Sequence, residues 1–234
     1  MKKQKYSFTF ILPNILTSAS IFTGILSIVK SIHGDFIDAS WLIFLSLIFD
    51  GLDGRVARLT NSCSKFGLEF DSLADIVAFG VAPAVLVYMY AGVDFGRFGI
   101  VVMALYVIFG AIRLARFNVT SNINEPSVFI GVPIPTAAVF LALFVLLFQK
   151  YNLQSLNSVL LIISLFVSLL MVSNIRYPSF KKVDLDKKDM RKLFIGLVGI
   201  FLFIFIYPIE AIVGVFSLYI LYGVVRALLN FKKR

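Results

Sequence analysis

Asp-Gly-Leu-Asp-Gly-Arg-Val-Ala-Arg occupies residues 50–58, and Gly-Leu-Glu-Phe-Asp-Ser-Leu-Ala-Asp occupies residues 67–75. These two stretches carry four aspartates within 26 residues, at the ends of two strongly apolar segments. The first pair is spaced three residues apart and the second pair four apart, so each pair shares one face of a helix. Because a carboxylate near hydrocarbon is energetically costly, such groups are rarely left there without a partner.

Two helical faces that turn toward each other with these pairs would form a cage of four carboxylates. Hard divalent cations such as Mg²⁺ or Mn²⁺ prefer oxygen ligands of this kind. A metal-bound phosphate ester is the ligand that this chemistry favours. The sequence therefore predicts a divalent-metal site formed by Asp50, Asp53, Asp71 and Asp75. The structural alternative is ion pairing with nearby arginines, since charges inside membranes often pair with each other.

The composition is that of an integral membrane protein. Of the 234 residues 59% are hydrophobic and 15% are charged, against roughly 25% charged in soluble domains, and the mean hydropathy is +0.94. The first apolar segment is long for the core of a signal peptide, so we expect it to be a retained helix. Cys63 is the single cysteine, which excludes an internal disulfide.

The apolar segments predict an all-α bundle of about eight transmembrane helices, each near the ~20 residues that a bilayer requires. The predicted spans are residues 11–30, 36–57, 69–90, 98–117, 132–149, 157–174, 192–207 and 209–229.

The basic residues predict the orientation of this bundle. Of the 22 lysines and arginines, all but Lys30, Arg97 and Lys150 fall on the side that also holds both chain ends. Such an asymmetry predicts cytoplasmic termini and an even number of spans. The net charge of +9 is then explained by topology and by attraction to anionic lipid headgroups, and nucleic-acid binding is not expected. All four aspartates lie toward the same cytoplasmic side.

The residues around the aspartates suit a nucleotide diphosphate. Small residues at Gly54, Ala57 and Gly67 leave room for a flat group close to the backbone. Arg58 can contact a phosphate through two parallel hydrogen bonds, and Ser64 adds a hydroxyl. Together with the carboxylates, this set fits a diphosphate that is bridged by metal ions.

At this point the sequence resembles a known family. The pattern D-x2-D-G-x2-A-R-x8-G-x3-D-x3-D is similar to the signature of the CDP-alcohol phosphotransferases. Its fixed positions are all filled, by Asp50, Asp53, Gly54, Ala57, Arg58, Gly67, Asp71 and Asp75. The surrounding sequence resembles the branch of membrane-bound phosphatidylserine synthases of bacteria and archaea, in residues 13–17, 66–84, 116–118, 131–135 and 173–177. The resemblance extends over about residues 8–180.

The resemblance implies a helical membrane domain over residues 1–180, followed by two further helices of the same bundle in residues 181–234. It implies two divalent metal ions, Mg²⁺ or Mn²⁺, held by Asp50, Asp53, Asp71 and Asp75, with Asp75 also acting as general base. The implied substrates are CDP-diacylglycerol and serine, and the products are phosphatidylserine and CMP. The residues implied in binding CDP-diacylglycerol are Asn14, Thr17, Gly54, Ala57, Arg58, Ser64 and Gly67.

The acceptor pocket is less clearly marked by the sequence. The candidates for contacts with the serine carboxylate are Arg113, Arg116, Asn118 and Arg176, although the arginines are also typical of membrane anchoring at the cytoplasmic face. Other acceptor alcohols stay open, among them glycerol 3-phosphate, inositol phosphate and choline. A divalent-cation transporter that uses the aspartate cluster is the alternative from a different class. From the family we also expect contact with membrane lipids, a location in the cytoplasmic (inner) membrane with the active site facing the cytoplasm, and possible homodimers.

Overall fold

The computed structural model describes residues 8–120, 128–178 and 206–231, and these residues are almost entirely helical. The α-helices are α1 (Phe8–Ile32), α2 (Phe36–Leu59), α3 (Lys65–Asp75), α4 (Ala82–Val87), α5 (Arg97–Thr120), α6 (Ile134–Lys150), α7 (Asn157–Val172) and α8 (Pro208–Phe231). A π-helical segment at Ile76–Val81 joins α3 to α4. A second π-helical segment at Tyr88–Gly92 and a 3₁₀ turn at Val93–Phe95 follow α4, which gives one helical run of 31 residues from Lys65 to Phe95. A second 3₁₀ turn covers Gln154–Leu156.

Four helical runs among the described residues are long and apolar enough to cross a membrane. They are Ile11–Ile32, Lys65–Phe95, Arg97–Thr120 and Gln154–Val172. The all-helical character predicted from the sequence is therefore confirmed, whereas the number of eight spans and the cytoplasmic position of both termini stay predictions.

The remaining predicted spans have different outcomes. α2 occupies the predicted span 36–57 but is not among the four, since its last turns carry both aspartates and arginines. The apolar parts of α6 and α8 are shorter, at Ile134–Lys150 and Pro208–Gly223. The predicted span 192–207 lies almost wholly outside the described residues.

α6 forms the centre of the bundle. Its buried side chains include Ala138, Phe140, Leu141 and Val145, and α2, α4, α7 and α8 pack around it. The outer helices instead expose large apolar side chains, such as Phe22, Trp41, Ile100 and Ile162. This arrangement suits lipid as the surrounding solvent, because a hydrocarbon environment accepts apolar side chains on the outside of the bundle.

Buried hydroxyl groups join α1 to α2. Ser27 donates to the carbonyl of Ala39 at 2.8 Å, and the hydroxyls of Thr23 and Ser46 lie 2.7 Å apart. Small polar residues of this kind allow membrane helices to approach closely and to form hydrogen bonds across their interface. They fix α1 against the helix that carries the first pair of aspartates.

Two features at the helix ends were not predicted from the sequence. Val128–Ile130 (β1) and Arg176–Pro178 (β2) form a short antiparallel ribbon in which Phe129 is paired with Tyr177. At the far end of α6, the Glu210 carboxylate accepts hydrogen bonds from the side chains of Lys150 and Tyr151, each at 2.5 Å. These contacts attach the start of α8 to the end of α6.

Candidate active site

The four aspartates converge from the end of α2 and from α3. Asp53 is buried, with 5% of its surface exposed, and the other three are half-buried. Carboxylate oxygens of Asp50, Asp53 and Asp71 lie within 4.8 Å of one another, and Asp75 lies beside Asp50 and Asp71. The helical spacing of each pair therefore brings all four side chains to one place, as the sequence predicts.

The residues present fit a divalent cation. None of the four carboxylates forms an ion pair within 4.0 Å with a basic side chain among the described residues, so the structural alternative of pairing with arginines is not observed there. The Oδ1 atoms of Asp71 and Asp75 are buried without a hydrogen-bond donor in the same part of the chain. Buried oxygens of this kind are costly unless a cation or a donor meets them.

Thr17 on α1 supports the cluster from the side. Its hydroxyl donates a 2.6 Å hydrogen bond to Oδ2 of Asp53, and only 3% of its surface is exposed. A buried hydrogen bond to a carboxylate is charge-assisted, so it fixes the orientation of the acceptor. The structure thus gives Thr17 a contact to a carboxylate that the sequence pattern did not indicate.

A cavity of about 210 Å³ opens beside the cluster, between α1, α2 and α3. Asp53 and Asp71 form one wall, and Cys63 is also among the lining residues. All seven residues that the family resemblance assigns to CDP-diacylglycerol line this cavity, namely Asn14, Thr17, Gly54, Ala57, Arg58, Ser64 and Gly67. The structure therefore brings together, around one cavity, the residues that are predicted to bind CDP-diacylglycerol.

The local geometry around Ser64, Gly67 and Gly54 shows how these lining residues of the cavity are arranged. Ser64 is the N-cap of α3, and its hydroxyl accepts a 3.0 Å hydrogen bond from the backbone N–H of Gly67. A side chain at position 67 would bring its Cβ within 3.2 Å of that hydroxyl and 3.7 Å of the Asn14 side chain. At Gly54, a Cβ would lie 3.5 Å from the Arg58 guanidinium. The approach at position 67 is tight, so glycine there leaves the capping hydroxyl undisturbed, whereas the contact at position 54 would be an ordinary one.

Arg113 and Arg116 have different surroundings, although both lie toward the C-terminal end of α5. Arg113 is 7% exposed, lies near Asp75 and stands over the ring of Phe117 at 5.3 Å. Among the described residues its guanidinium makes no hydrogen bond or ion pair. A buried cation without an acceptor is costly, so this position suits an anionic ligand.

The Arg116 guanidinium, in contrast, is surrounded by acceptors from the protein. It donates to the backbone carbonyls of Ile130, Met171, Val172 and Ser173 and to the side chain of Asn174, at 3.0–3.4 Å. Its Nη2 atom would also lie 3.1 Å from a Cβ at Gly131, which has a positive φ of +74°. Arg116 therefore holds the end of α7 against the segment that leads directly into α6.

The other two acceptor candidates differ as well. The side-chain amide of Asn118 donates a 2.9 Å hydrogen bond to the hydroxyl of Ser72, the residue after Asp71. This contact ties the end of α5 to the helix that carries the second pair of aspartates. Arg176 begins β2, and its side chain lies outside the part of the chain that the structure describes.

Comparison with known proteins agrees with this geometry. The sequence model of the CDP-alcohol phosphatidyltransferase family matches residues 10–170, and the chain belongs to that family.

Three curated relatives illustrate its similarities. The chain is 55% identical to a CDP-diacylglycerol–serine O-phosphatidyltransferase of Helicobacter pylori, over 93% of this chain and 91% of that protein. It is 41% identical to the archaetidylserine synthase of Methanothermobacter thermautotrophicus, over 76% and 74% of the two chains. It is 37% identical to a CDP-diacylglycerol–serine O-phosphatidyltransferase of Bacillus subtilis, over 73% of this chain and 92% of that protein.

Proposed function

We propose that this protein is a CDP-diacylglycerol–serine O-phosphatidyltransferase, which transfers the phosphatidyl group of CDP-diacylglycerol to the hydroxyl of serine. The products are phosphatidylserine and CMP. The observation that carries this proposal is that the seven residues predicted to bind CDP-diacylglycerol line the same cavity as Asp53 and Asp71. The names of the relatives support serine as the acceptor.

The nucleotide and diphosphate of the donor occupy this cavity. Arg58 suits the diphosphate because a guanidinium can hold a phosphate through two parallel hydrogen bonds. The N-terminal end of α3 also lines the cavity at Gly67 and Leu68, and a helix N-terminus favours a negatively charged group. Asn14 and Ser64 supply further polar groups along the same wall.

Asp50, Asp53, Asp71 and Asp75 hold two divalent ions, Mg²⁺ or Mn²⁺. When bound, the ions offset the negative charge of the diphosphate and the charge that develops on the departing CMP. Asp50, Asp53 and Asp71 support this assignment through their mutual distances. The Oδ1 atoms of Asp71 and Asp75, which are buried without a hydrogen-bond donor among the described residues, also support it.

Asp75 is the general base. The serine hydroxyl oxygen attacks the phosphorus that carries diacylglycerol, and the bond from that phosphorus to the bridging oxygen of CMP breaks. The hydroxyl proton passes to the Asp75 carboxylate as the new phosphorus–oxygen bond forms. A positioned base commonly contributes about 10²–10⁴-fold to the rate. A covalent intermediate on Ser64 is not favoured, since that hydroxyl caps α3.

Arg113 binds the carboxylate of serine. It is buried beside Asp75 and has no acceptor within the described part of the chain, so it can bring the serine hydroxyl close to the base. Arg116 is a weaker candidate, because its donors already contact backbone carbonyls. A phosphorylated acceptor would require several free cations at this point. Of the two described arginines near the end of α5, only Arg113 lacks an acceptor among the described residues, which favours a single carboxylate.

The protein acts in the cytoplasmic membrane with this site facing the cytoplasm, where serine and CMP are soluble metabolites. The surplus of basic residues on one side supports that orientation. The homodimer that we expect from the family is part of the same proposal.

The decisive experiment is incorporation of radiolabelled serine into lipid by purified protein with CDP-diacylglycerol and Mn²⁺ or Mg²⁺, with and without EDTA. We expect metal-dependent phosphatidylserine and an equimolar amount of CMP. CMP release with glycerol 3-phosphate, inositol phosphate or choline, and not with serine, would keep the site and change the acceptor. Metal flux into proteoliposomes, with no release of CMP in the presence of any of these alcohols, would contradict the proposed enzymatic activity and favour a transporter.

A further inference from the structure

Pro83 has no backbone N–H in the helical run that carries Asp75. In an α-helix the carbonyl of Phe79 would accept from the N–H of residue 83, and proline has none. The hydroxyl of Tyr106 on α5 donates to this carbonyl at 3.2 Å. Phe79 and Tyr106 are both buried, with 0% and 1% of their surfaces exposed. Because a buried carbonyl needs a donor, this contact supplies one where the α-helical N–H is absent.

The contact lies one helical turn beyond Asp75. The π-helical segment Ile76–Val81 begins directly after Asp75 and includes Phe79, and π-helical insertions often occur beside functional sites. On α5, Tyr106 and Arg113 are seven residues apart, which is about two turns of an α-helix, so they share one face. The same two helices are therefore joined where Tyr106 meets Phe79 and again where Arg113 lies near Asp75.

We propose that Tyr106 is a positioning residue, which keeps Asp75 in register with Arg113 through its hydrogen bond to the Phe79 carbonyl. This inference rests on the proposed roles of Asp75 as base and of Arg113 as the contact for serine. Without the hydroxyl, the π-helical segment loses this hydrogen bond to α5, and the carboxylate shifts relative to the bound acceptor.

Replacement of Tyr106 by Phe tests this role, because it removes the hydroxyl and keeps the ring. We expect kcat to fall about 10- to 100-fold, since small misplacements of a catalytic group have effects of that size. The KM for CDP-diacylglycerol should be unchanged, because Tyr106 does not line the nucleotide cavity. Tyr90→Phe is the matched control: Tyr90 is also buried, but its hydroxyl has no partner among the described residues. Its kcat should stay at the wild-type value.

Pro83→Ala provides a rescue. Alanine restores a backbone N–H at position 83, so the Phe79 carbonyl can be satisfied without Tyr106. We expect the loss caused by Tyr106→Phe to be several-fold smaller in the Pro83→Ala background. A purely steric role of the tyrosine ring would give no such coupling between the two positions.

Mn²⁺ affinity, measured by electron paramagnetic resonance on the same variants, reports the position of Asp75 without turnover. We expect weaker binding in Tyr106→Phe, no change in Tyr90→Phe and recovery in the Pro83→Ala/Tyr106→Phe double variant. If the variants show this pattern of Mn²⁺ affinity but the wild-type protein releases no CMP, the proposed function is contradicted and the positioning role is kept. Wild-type kcat and Mn²⁺ affinity in Tyr106→Phe would overturn the positioning role. Unfolding of Tyr106→Phe, or a loss that Pro83→Ala does not reduce, would overturn it too.

Discussion

The hydroxyl of Thr17 donates a 2.6 Å hydrogen bond to Oδ2 of Asp53, a residue that lies 36 positions later in the chain. This bond joins α1 to the aspartate cluster at the cavity between α1, α2 and α3, which we propose to hold CDP-diacylglycerol and call the donor cavity. Thr17→Val keeps the shape of the side chain and removes the hydroxyl. We expect the Mn²⁺ concentration for half-maximal activity to rise about 10- to 100-fold, the usual effect of losing a residue that orients a metal ligand.

Thr17→Ser is the control for this variant, because it keeps the donor and removes only a methyl group. It should retain most of the wild-type activity and metal dependence. Equal metal dependence of the valine and serine variants would show that the hydrogen bond does not orient Asp53.

The amide variant Asp75→Asn tests the general base. It should abolish phosphatidylserine formation, because an amide cannot accept the proton of the serine hydroxyl, and it should leave binding of CDP-diacylglycerol largely intact. Turnover is measured as CMP release, and binding by equilibrium titration with CDP-diacylglycerol. Glu69→Gln is a matched control on the same helix, since Glu69 is exposed and does not line the cavity. Turnover of Asp75→Asn near the wild-type rate would remove Asp75 as the base.

The sequence predicted for a physical reason that the four aspartates would lie together, whereas their roles and those of the cavity residues stay predictions. The spacing of Asp50 and Asp53, and of Asp71 and Asp75, fixes each pair on one helical face, whatever the rest of the fold does. The small residues between the pairs then follow the same two helices into the cavity wall. Local spacing was sufficient for these residues because they belong to the consecutive helices α2 and α3, whereas Asn14 and Thr17 reach the cavity from α1.

The sequence was less informative where a contact joins distant parts of the chain. Arg113 and Arg116 are equivalent by position, and only the packing of α7 against α5 shows that Arg116 meets backbone carbonyls. The hydrogen bond from Tyr106 to Phe79 spans 27 residues. A proline within an apolar run was its signal in the sequence, since Pro83 has no N–H to donate to the carbonyl four residues earlier. The partner of that carbonyl depends on tertiary packing.

Arg113→Gln tests the acceptor site. Loss of a charge-assisted contact with the serine carboxylate should raise the KM for serine about 10-fold or more. The KM for CDP-diacylglycerol should change little, because Arg113 does not line the donor cavity. The measurement is initial-rate kinetics with each substrate varied in turn. An unchanged KM for serine would exclude Arg113 as the contact for its carboxylate.

Arg116→Gln should have a different effect. The backbone carbonyls at the end of α7 lose a shared donor, so the protein should unfold at a temperature several degrees lower, at about 2–4 °C per kcal/mol for a chain of this size. The KM for serine of the remaining folded protein should stay near the wild-type value. Thermal unfolding in detergent and kinetics at a lower temperature separate the two effects. A raised KM for serine with unchanged thermal stability would reverse the roles of Arg113 and Arg116.

Cys63 provides a direct probe of the donor cavity in the unmodified protein. It is the single cysteine of the chain, its thiol is free and exposed, and it lines the cavity together with Arg58 and Asp71. A maleimide reagent should therefore label the wild-type protein at this position alone. Bound CDP-diacylglycerol, or CDP with Mn²⁺, should slow the labelling because the nucleotide fills the space beside the thiol.

The control is the double variant Cys63→Ser/Leu59→Cys, which moves the thiol to a position that is 83% exposed and does not line the cavity. Its labelling rate should not depend on the ligand. Protection is measured as the ratio of labelling rates with and without saturating ligand, and EDTA should reduce it if the diphosphate binds through the aspartates. Equal rates with and without ligand for wild-type Cys63 would mean that the nucleotide binds elsewhere. Because this readout needs no turnover, it tests the donor cavity separately from the identity of the acceptor.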